Sequence, residues 1–407
     1  MVHCLTNNST LKIGYTFDNY QQQKNIIGKV TDCQYFRLKN YYISFLKRIQ
    51  FIPFLSIPYK HKLQDSDFKF RDFDLNKVDV IHLYNSVSYG RTPWVSTYET
   101  IIPRFSSVLL ERTNNLCLNL ADSEVRLALD MLAGSACKQI IARSHNSILM
   151  QNEFLDLFPE YENVIKSKQI VIPMGQPLLS NKSAETAYHC NLNRPIRFMF
   201  VGNYFFSKGG REILSVLDEV RRKENINLEL IIVSNLTIDN YASNANEEDL
   251  TMVEKFIDAN ATWISFYQSI PFHKVSALME SCDVGLLPSY ADTYGFSVLE
   301  FQASGCPVIT TDIRAFPEIN NAKIGWIINV PKWKNGEAKY KTKEERDDLS
   351  DAIITGLRRY VYEIIENPEV IFKKGQYSIE RIKREHDPEI FSNRLLKVYQ
   401  EALGGVN

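Results

Sequence analysis

The chain has 407 residues, of which 44% are hydrophobic and 23% are charged. Such a composition is typical of globular proteins, and the length suits two domains of about 150 to 200 residues each better than one. Lys and Arg number 47 against 48 Asp and Glu, a net charge of -1. Because phosphate binding needs a basic excess, this balance argues against nucleic acid as the main partner.

The seven cysteines are scattered, with no CxxC pair and no Cys/His spacing that suits zinc. We interpret them as reduced, buried thiols. The N-terminal residues lack the basic and apolar regions of a signal peptide, and no stretch approaches the roughly 20 apolar residues of a membrane span. We therefore expect a cytoplasmic protein.

In the first half of the chain, apolar strands alternate with helices. The pattern predicts strands at 11–17, 78–85, 93–99, 138–144 and 168–175, and helices at 122–135 and 148–158. Within the strand 78–85, His82 is interpreted as a core residue with satisfied hydrogen bonds. The DSD at 65–67 and the DFD at 72–74 match a metal-binding D-x-D in letters only, because no apolar strand precedes them.

Residues 35–64 combine six Lys or Arg with many aromatic residues and no acid. An ordinary amphipathic helix with its aromatic side chains in the core accounts for this pattern. The alternative is an interfacial surface that meets anionic lipid or a lipid-linked acceptor.

A polar segment at 176–195, with a Pro near each end, has the character of a linker. We place the first domain at 1–178, the linker at 179–195 and the second domain at 196–387. The second domain is predicted to contain strands at 197–204, 228–234, 262–268 and 283–289, with helices at 210–223 and 272–281.

Most of these strands are apolar at nearly every position, which is typical of parallel strands covered by helices on both faces. Their alternation with helices predicts an α/β fold of two Rossmann-like, doubly wound domains that face each other across a cleft. Ligands of such sheets bind beyond the carboxyl ends of the strands.

The segment ADTYGFSVLEFQASGCPVITT (291–311) follows the predicted strand 283–289. Gly295 permits a tight turn, and the amides of Phe296, Ser297 and Val298 then lie at a helix start, where anions bind. Asp292 and Glu300 stand on either side of this start, close enough to accept hydrogen bonds from hydroxyls. A nucleotide sugar carries both phosphates and hydroxyls. The alternative is that the two acids merely stabilise the helix through its dipole.

A second segment, FMFVGNYFFSKGGREILSVLDEV (198–220), is a strand, a Gly-containing loop and a helix. Lys208 lies in this loop, beyond the carboxyl end of the strand, where a flexible cation can neutralise a departing diphosphate. The GxxxxGK[ST] order of a P-loop is absent. Taken alone, a Lys before a Gly-Gly turn is a solvated loop charge in most proteins.

Together, VGNYFFSKGG and SYADTYGFSVLEFQASGCPVITTD resemble retaining glycosyltransferases of family 4, which have the GT-B fold. CKQIIARSHNSILMQNEF and IVIPMGQP also resemble strand junctions of that family. The resemblance covers about 137–320 and is weaker before that range. It implies that the C-terminal helix, placed at 388–407, returns to the first domain.

The resemblance also implies roles for the matched residues. Glu300 would hold the ribose hydroxyls of the donor, Asp292 would contact its sugar and Lys208 would stabilise its diphosphate. The implied donor-binding set is Gly202, Asn203, Lys208, Arg211, Asp292, Tyr294, Gly295, Phe296, Ser297, Val298 and Glu300, with no metal or cofactor.

The chain departs from the family at two of these positions. Asn203 stands where the family often has Arg, for which Arg211 is a substitute, and Asp292 is one methylene shorter than the usual Glu. On the acceptor side, Glu99 matches a family position that carries a His or an acid, and it would position or deprotonate the acceptor hydroxyl. The alternative for Glu99 is an ion pair with Arg104.

We therefore expect a cytoplasmic hexosyltransferase, with peripheral membrane contact through 35–64. It would move a sugar from a nucleotide-diphosphate donor to a carbohydrate or lipid-linked glycan in the synthesis of surface polysaccharide or glycoconjugate. Two alternatives are a GT-B sugar-nucleotide epimerase, which needs further acids and His at the site, and a catalytically silent partner subunit.

Overall fold

The chain divides into two compact units. The computed structural model describes residues 10–41, 44, 65–109, 119–179, 194–239 and 241–404. The first unit comprises Met1–Gly175 together with Pro388–Asn407, and the second comprises Gln176–Asp387. Most of the predicted linker, residues 180–193, lies outside the described residues.

The first unit contains a parallel sheet of six strands. Its elements, in chain order, are β1 (Leu11–Tyr15), α1 (Tyr20–Asn25), β2 (Cys33–Arg37), β3 (Lys69–Phe70), β4 (Val80–Tyr84), β5 (Val87–Ser88), β6 (Trp94–Tyr98), α2 (Ser123–Ala133), β7 (Cys137–Ala142), α3 (His145–Leu155), α4 (Pro159–Lys166) and β8 (Gln169–Val171). The strand order is β2-β1-β4-β6-β7-β8, and the short strands β3 and β5 pair separately.

The second unit contains another parallel sheet of six strands. Its elements are β9 (Ile196–Val201), α5 (Gly210–Glu224), β10 (Leu228–Val233), α6 (Glu247–Ala259), β11 (Ile264–Tyr267), α7 (Phe272–Ser281), β12 (Val284–Leu287), α8 (Phe296–Ala303), β13 (Val308–Thr311), α9 (Phe316–Ile319), β14 (Trp326–Ile328), α10 (Lys343–Glu366) and α11 (Glu369–Glu385). The strand order is β11-β10-β9-β12-β13-β14.

The burial of the strands explains which of them the sequence revealed. Every residue of β4, β12 and β13 is buried, as expected for central strands covered on both faces. In contrast, β2 is an edge strand with only its first residue buried. Its polar composition gives no apolar run, so the sequence analysis did not predict it.

The last helix, α12 (Pro388–Ala402), packs on the sheet of the first unit. Its side chains Phe391, Leu395 and Val398 share a hydrophobic core with residues of β1, β4, β6 and β7. The predicted helix 388–407 therefore begins where expected, while its last three residues lie outside the described residues.

His82 links this helix to the sheet. Its Nδ1 is 2.7 Å from the Tyr399 hydroxyl and its Nε2 is 2.8 Å from Thr97 Oγ1. The side chain is fully buried. This burial, together with the nearby charge of Arg143, holds the pKa of His82 well below its ordinary value. The interpretation of His82 as a satisfied core residue is confirmed.

Among the residues that the structure describes, no helix combines the length and the apolar character needed to cross a membrane. Of the segment 35–64, only residues 35–41 and Ser44 fall within the described ranges, so the predicted amphipathic helix lies almost wholly outside them.

Candidate functional site

The second sheet has a topological switch point between β9 and β12. In chain order its strands run 3-2-1-4-5-6, so connections leave these two neighbouring strands toward opposite sides. A crevice opens at their carboxyl ends in sheets of this order. The loop 202–209 follows β9 and the loop 288–295 follows β12. These loops carry Lys208 and Asp292, so topology alone brings the two predicted residues to one place.

Backbone contacts join the two loops. The Tyr290 amide donates to the Ser207 carbonyl at 2.8 Å. Gly209 has a left-handed φ of 79°, and a Cβ at this position would lie 2.4 Å from the carbonyl oxygen of Pro288. Only a residue without a side chain permits this approach, which explains the Gly that directly follows the lysine.

Lys208 and Asp292 form an ion pair between Nζ and Oδ2, and both side chains are largely buried. The aliphatic part of Lys208 lies over Gly202, where an added Cβ would be 2.7 Å from the lysine Cδ. The other carboxylate oxygen of Asp292 accepts from the Tyr294 amide at 3.2 Å. The structure thus brings together Gly202, Lys208 and Asp292. Of these, Gly202 and Asp292 are 90 residues apart in the sequence.

Helix α8 begins at the predicted turn. Gly295 caps it with a φ of 86°, and the helix runs from Phe296 to Ala303. The prediction that the first three amides are free was wrong for Val298, because its N–H donates to the Gly295 carbonyl at 3.0 Å. Because the Val298 amide is used in this bond, the start of α8 has fewer N–H donors left for an anion than an ideal helix N-terminus.

Glu300 is buried in the middle of α8. The helix is covered on all sides, since every residue from Val298 to Ala303 is buried. A buried acid in such a helix is unusual and is retained only where it has partners or a role. Its contact with a ribose remains a prediction.

Asn203 and Arg211 lie at the margin of the loop after β9. Asn203 is exposed. Arg211, in the first turn of α5, donates from Nη1 to Asp249 Oδ1 at 3.0 Å and lies against the ring of Phe206. The guanidinium is thus directed toward α6, and a donor contact would require it to leave Asp249.

Arg314 is a residue at this site that the sequence analysis missed. It follows β13 and donates from Nη1 to the carbonyl oxygen of Asp292 at 3.2 Å. Its other terminal nitrogen pairs with Glu337 at 2.7 Å. The sequence does place Arg314 in a loop after the carboxyl end of a strand, which is also how Lys208 was selected.

On the first unit, Glu99 directly follows β6 and is buried. Its amide donates to Asn85 Oδ1 at 3.2 Å, and its carbonyl accepts from Ser147 Oγ at 2.5 Å. Its Oε1 is buried without a hydrogen-bond partner in the described part of the chain. Burial and then the charge of Glu99 raise the pKa of the neighbouring Tyr84.

Glu99 and Arg104, both within the described ranges, do not form the alternative ion pair. Arg104 donates instead to Thr100 Oγ1 at 3.2 Å. Glu99 therefore remains a candidate for contact with an acceptor, held in place through its backbone at the carboxyl edge of the first sheet.

Acids of the two D-x-D sequences accept hydrogen bonds within the first unit. Asp65 accepts from both the amide and the hydroxyl of Ser106, at 2.8 and 2.7 Å. Asp72 is fully buried and accepts from the Asp74 amide at 3.0 Å. The cysteines within the described ranges, Cys33, Cys137, Cys282 and Cys306, are all buried thiols rather than disulfides.

The comparisons with known proteins agree with this architecture. The family model for glycosyl transferases group 1 matches residues 190–357, which lie within the second unit and include Lys208, Asp292 and Glu300. No curated protein matches the chain in sequence.

Several solved structures resemble the whole chain. Anabaena Alr3699/HepE in complex with UDP has a TM-score of 0.59 at 13% identity, with 97% of this chain and 100% of that chain covered. A glycosyltransferase from Rickettsia africae has a TM-score of 0.58 at 14% identity, covering 98% and 100%. WaaG, a glycosyltransferase involved in lipopolysaccharide biosynthesis, has a TM-score of 0.58 at 12% identity, covering 97% and 100%. These likenesses confirm the predicted GT-B fold.

Proposed function

We propose that this GT-B protein, whose second unit carries a region matching glycosyl transferases group 1, transfers a sugar from a nucleotide-diphosphate donor to a glycan acceptor. The supporting observation is the meeting of Lys208 with Asp292 at the switch point of the second sheet. A cation and an acid there, beside a helix start, match the phosphates and hydroxyls of a nucleotide sugar.

In the proposed reaction, Lys208 stabilises the charge that develops on the departing diphosphate, and Asp292 accepts hydrogen bonds from the donor sugar. The amides of Phe296 and Ser297 at the start of α8 add to the phosphate contact, and Glu300 holds the ribose. In the structure, Lys208 and Asp292 pair with each other. A bound donor offers each of them a partner of its own, so binding exchanges one ion pair for two ligand contacts.

We further propose a retaining hexosyl transfer without a metal, in which Glu99 positions or deprotonates the acceptor hydroxyl. The burial of the Glu99 carboxylate directly after β6 supports this role. The acceptor class is a carbohydrate or lipid-linked glycan of surface polysaccharide or glycoconjugate synthesis. WaaG is described as a glycosyltransferase involved in lipopolysaccharide biosynthesis, which supports the acceptor class by likeness of fold alone. A HepE structure contains UDP-glucose, which supports a hexosyl donor on the same ground.

The proposed location is the cytoplasm, with a peripheral contact at a membrane surface through 35–64. The second candidate function is a catalytically silent GT-B subunit, which the exposed Asn203 and the short Asp292 favour. A screen of nucleotide sugars with detection of the released nucleoside diphosphate separates the two: an enzyme releases it, whereas a silent subunit binds without turnover.

Replacement of Glu300 tests the donor site directly. We expect Glu300→Gln to weaken nucleoside diphosphate binding about 10-fold, because the ribose hydroxyls lose a charged acceptor. Isothermal titration against a panel of nucleoside diphosphates measures this effect. Glu248→Gln, at the exposed start of α6, is the matched control and should leave affinity unchanged. Equal affinities of wild type and Glu300→Gln would refute the assignment.

A further inference from the structure

We propose that Arg314 is a positioning residue for the donor site, and that its buried ion pair with Glu337 holds the loop carrying Asp292 in place. The inference rests on the proposed function, since it concerns the same site. It adds to that function Arg314, which contacts the site loop, and three residues that hold the Arg314 side chain: Glu337, Tyr241 and Tyr340.

The first observation is the backbone of Arg314. Its φ of 41° is in the left-handed region, which residues other than glycine and asparagine seldom occupy. Its amide donates to the Gly336 carbonyl at 2.8 Å. A conformation of this kind persists only where surrounding contacts determine it, and such positions concentrate at functional sites.

The second observation is the direction of the guanidinium. Nη1 donates to the backbone carbonyl of Asp292 at 3.2 Å, while Nη2 donates to Glu337 Oε1 at 2.7 Å. The side chains of Arg314 and Glu337 are each 8% exposed. One end of the planar group therefore contacts the site loop and the other is held by a buried carboxylate.

Two tyrosines complete the arrangement. The Tyr340 hydroxyl donates to Glu337 Oε1 at 2.6 Å and lies 2.7 Å from the Tyr241 hydroxyl. The Tyr241 hydroxyl in turn accepts from Arg314 Nη2 at 2.7 Å. The Glu337 carboxylate thus accepts from Arg314 and both tyrosines, and the guanidinium that it orients has little freedom to leave Asp292.

The topology explains why this set acts on the site. Tyr241 follows β10, Asp292 follows β12, Arg314 follows β13 and Glu337 follows β14. All four loops lie at the carboxyl edge of one parallel sheet. Arg314 therefore connects loops along this edge. One of its hydrogen bonds is to the backbone of Asp292, which is predicted to contact the donor sugar.

A neighbouring ion pair provides a matched control. Lys332 pairs with Asp312 and anchors the same segment that carries Glu337. Asp312 also accepts from the Val330 amide at 3.1 Å. No contact of this pair with the 288–295 loop occurs in the hydrogen bonds found for the described residues, so its removal perturbs the segment without reaching Asp292 directly.

The test compares Glu337→Gln, Arg314→Lys and Lys332→Met in the full chain. The first readout is hydrogen–deuterium exchange of peptides covering 288–295, which needs no activity. We expect faster exchange there in Glu337→Gln and Arg314→Lys, and unchanged exchange in Lys332→Met. Equal exchange in all three variants, or equal loosening by Lys332→Met, overturns the proposal.

The second readout is kinetic and uses the nucleotide sugar that the donor screen selects. We expect Glu337→Gln to lower kcat about 10-fold or more, because misplacement of a site loop is costly, while the Kd for UDP changes less than about threefold. In an Asp292→Asn background the same substitution should add little, because both changes act through one residue. Additive losses overturn the positioning role.

The two proposals fail in distinguishable ways. If the wild-type protein neither binds a nucleoside diphosphate nor turns over a donor, the proposed function fails, whereas the exchange experiment still decides whether Arg314 fixes the loop. If the wild type binds and turns over but the double-mutant cycle is additive, only the positioning role fails.

Discussion

Lys208 and Asp292 form an ion pair in which both side chains are largely buried, so each holds the other in position. We expect Lys208→Ala to lower kcat about 100-fold while the Kd for the nucleotide changes far less, since leaving-group charge grows only in the transition state. Steady-state kinetics together with titration of the nucleoside diphosphate measure the two effects. Lys223→Ala, an exposed position on α5, is the control. Equal losses in turnover and affinity would instead indicate ground-state binding.

Gly202 provides a way to displace the lysine without removing its charge. Because a Cβ there would lie 2.7 Å from Lys208 Cδ, Gly202→Ala should push the side chain away from Asp292. We expect turnover to fall about 10-fold with a change of less than about 1 kcal/mol in the free energy of unfolding. The same substitution made in Lys208→Ala should have almost no further effect on turnover. A further loss there would mean that Gly202 acts by another route.

At the scale of elements, His82 connects β4, β6 and α12. Burial holds the pKa of His82 below that of the unfolded chain, which is about 6.5. Below that pH the unfolded chain binds a proton that the folded chain does not, so folding stability should fall as pH decreases. The limit for one group is about 1.4 kcal/mol per pH unit.

Denaturant unfolding of wild type and His82→Asn at pH 7.5, 6.5 and 5.5 isolates this contribution. At pH 7.5 we expect the variant to be about 2 kcal/mol less stable, because Tyr399 and Thr97 lose their buried partner. The difference between the two proteins should shrink toward pH 5.5. Parallel pH dependences in the two proteins would show that His82 is not the group that titrates.

At the scale of the whole molecule, each unit has its own sheet, and the proposed donor site lies in the second. We expect the nucleoside diphosphate that binds in the titration panel to stabilise the second unit by about 2.7 kcal/mol at 100 times its Kd, and to leave the transition of the first unit unchanged. Scanning calorimetry with and without that nucleotide measures this. His82→Asn should lower the other transition, which assigns the two. A nucleotide shift in the transition that His82→Asn lowers would contradict the assignment of the site.

Features encoded by neighbouring residues could be predicted from the sequence, whereas contacts between residues far apart in the chain could not. The apolar runs of β4, β12 and β13 are local and identified the parallel sheets, and the Gly turns at 209 and 295 marked the loops of the site. The edge strand β2 lacked such a run. The contacts of Arg314 join side chains 73 residues apart through Tyr241. No local pattern encodes such a contact, so only the fold reveals it.

The first unit is discontinuous in the chain, because Pro388–Asn407 belongs to it while Gln176–Asp387 forms the second unit between its two parts. During synthesis, the second unit is therefore complete before Tyr399 exists to meet His82. Until then, the apolar surface of the first sheet that α12 covers has no cover from its own chain. Since domains generally fold as units as they are made, the second unit gains its native state first on the ribosome, although it begins later in the sequence.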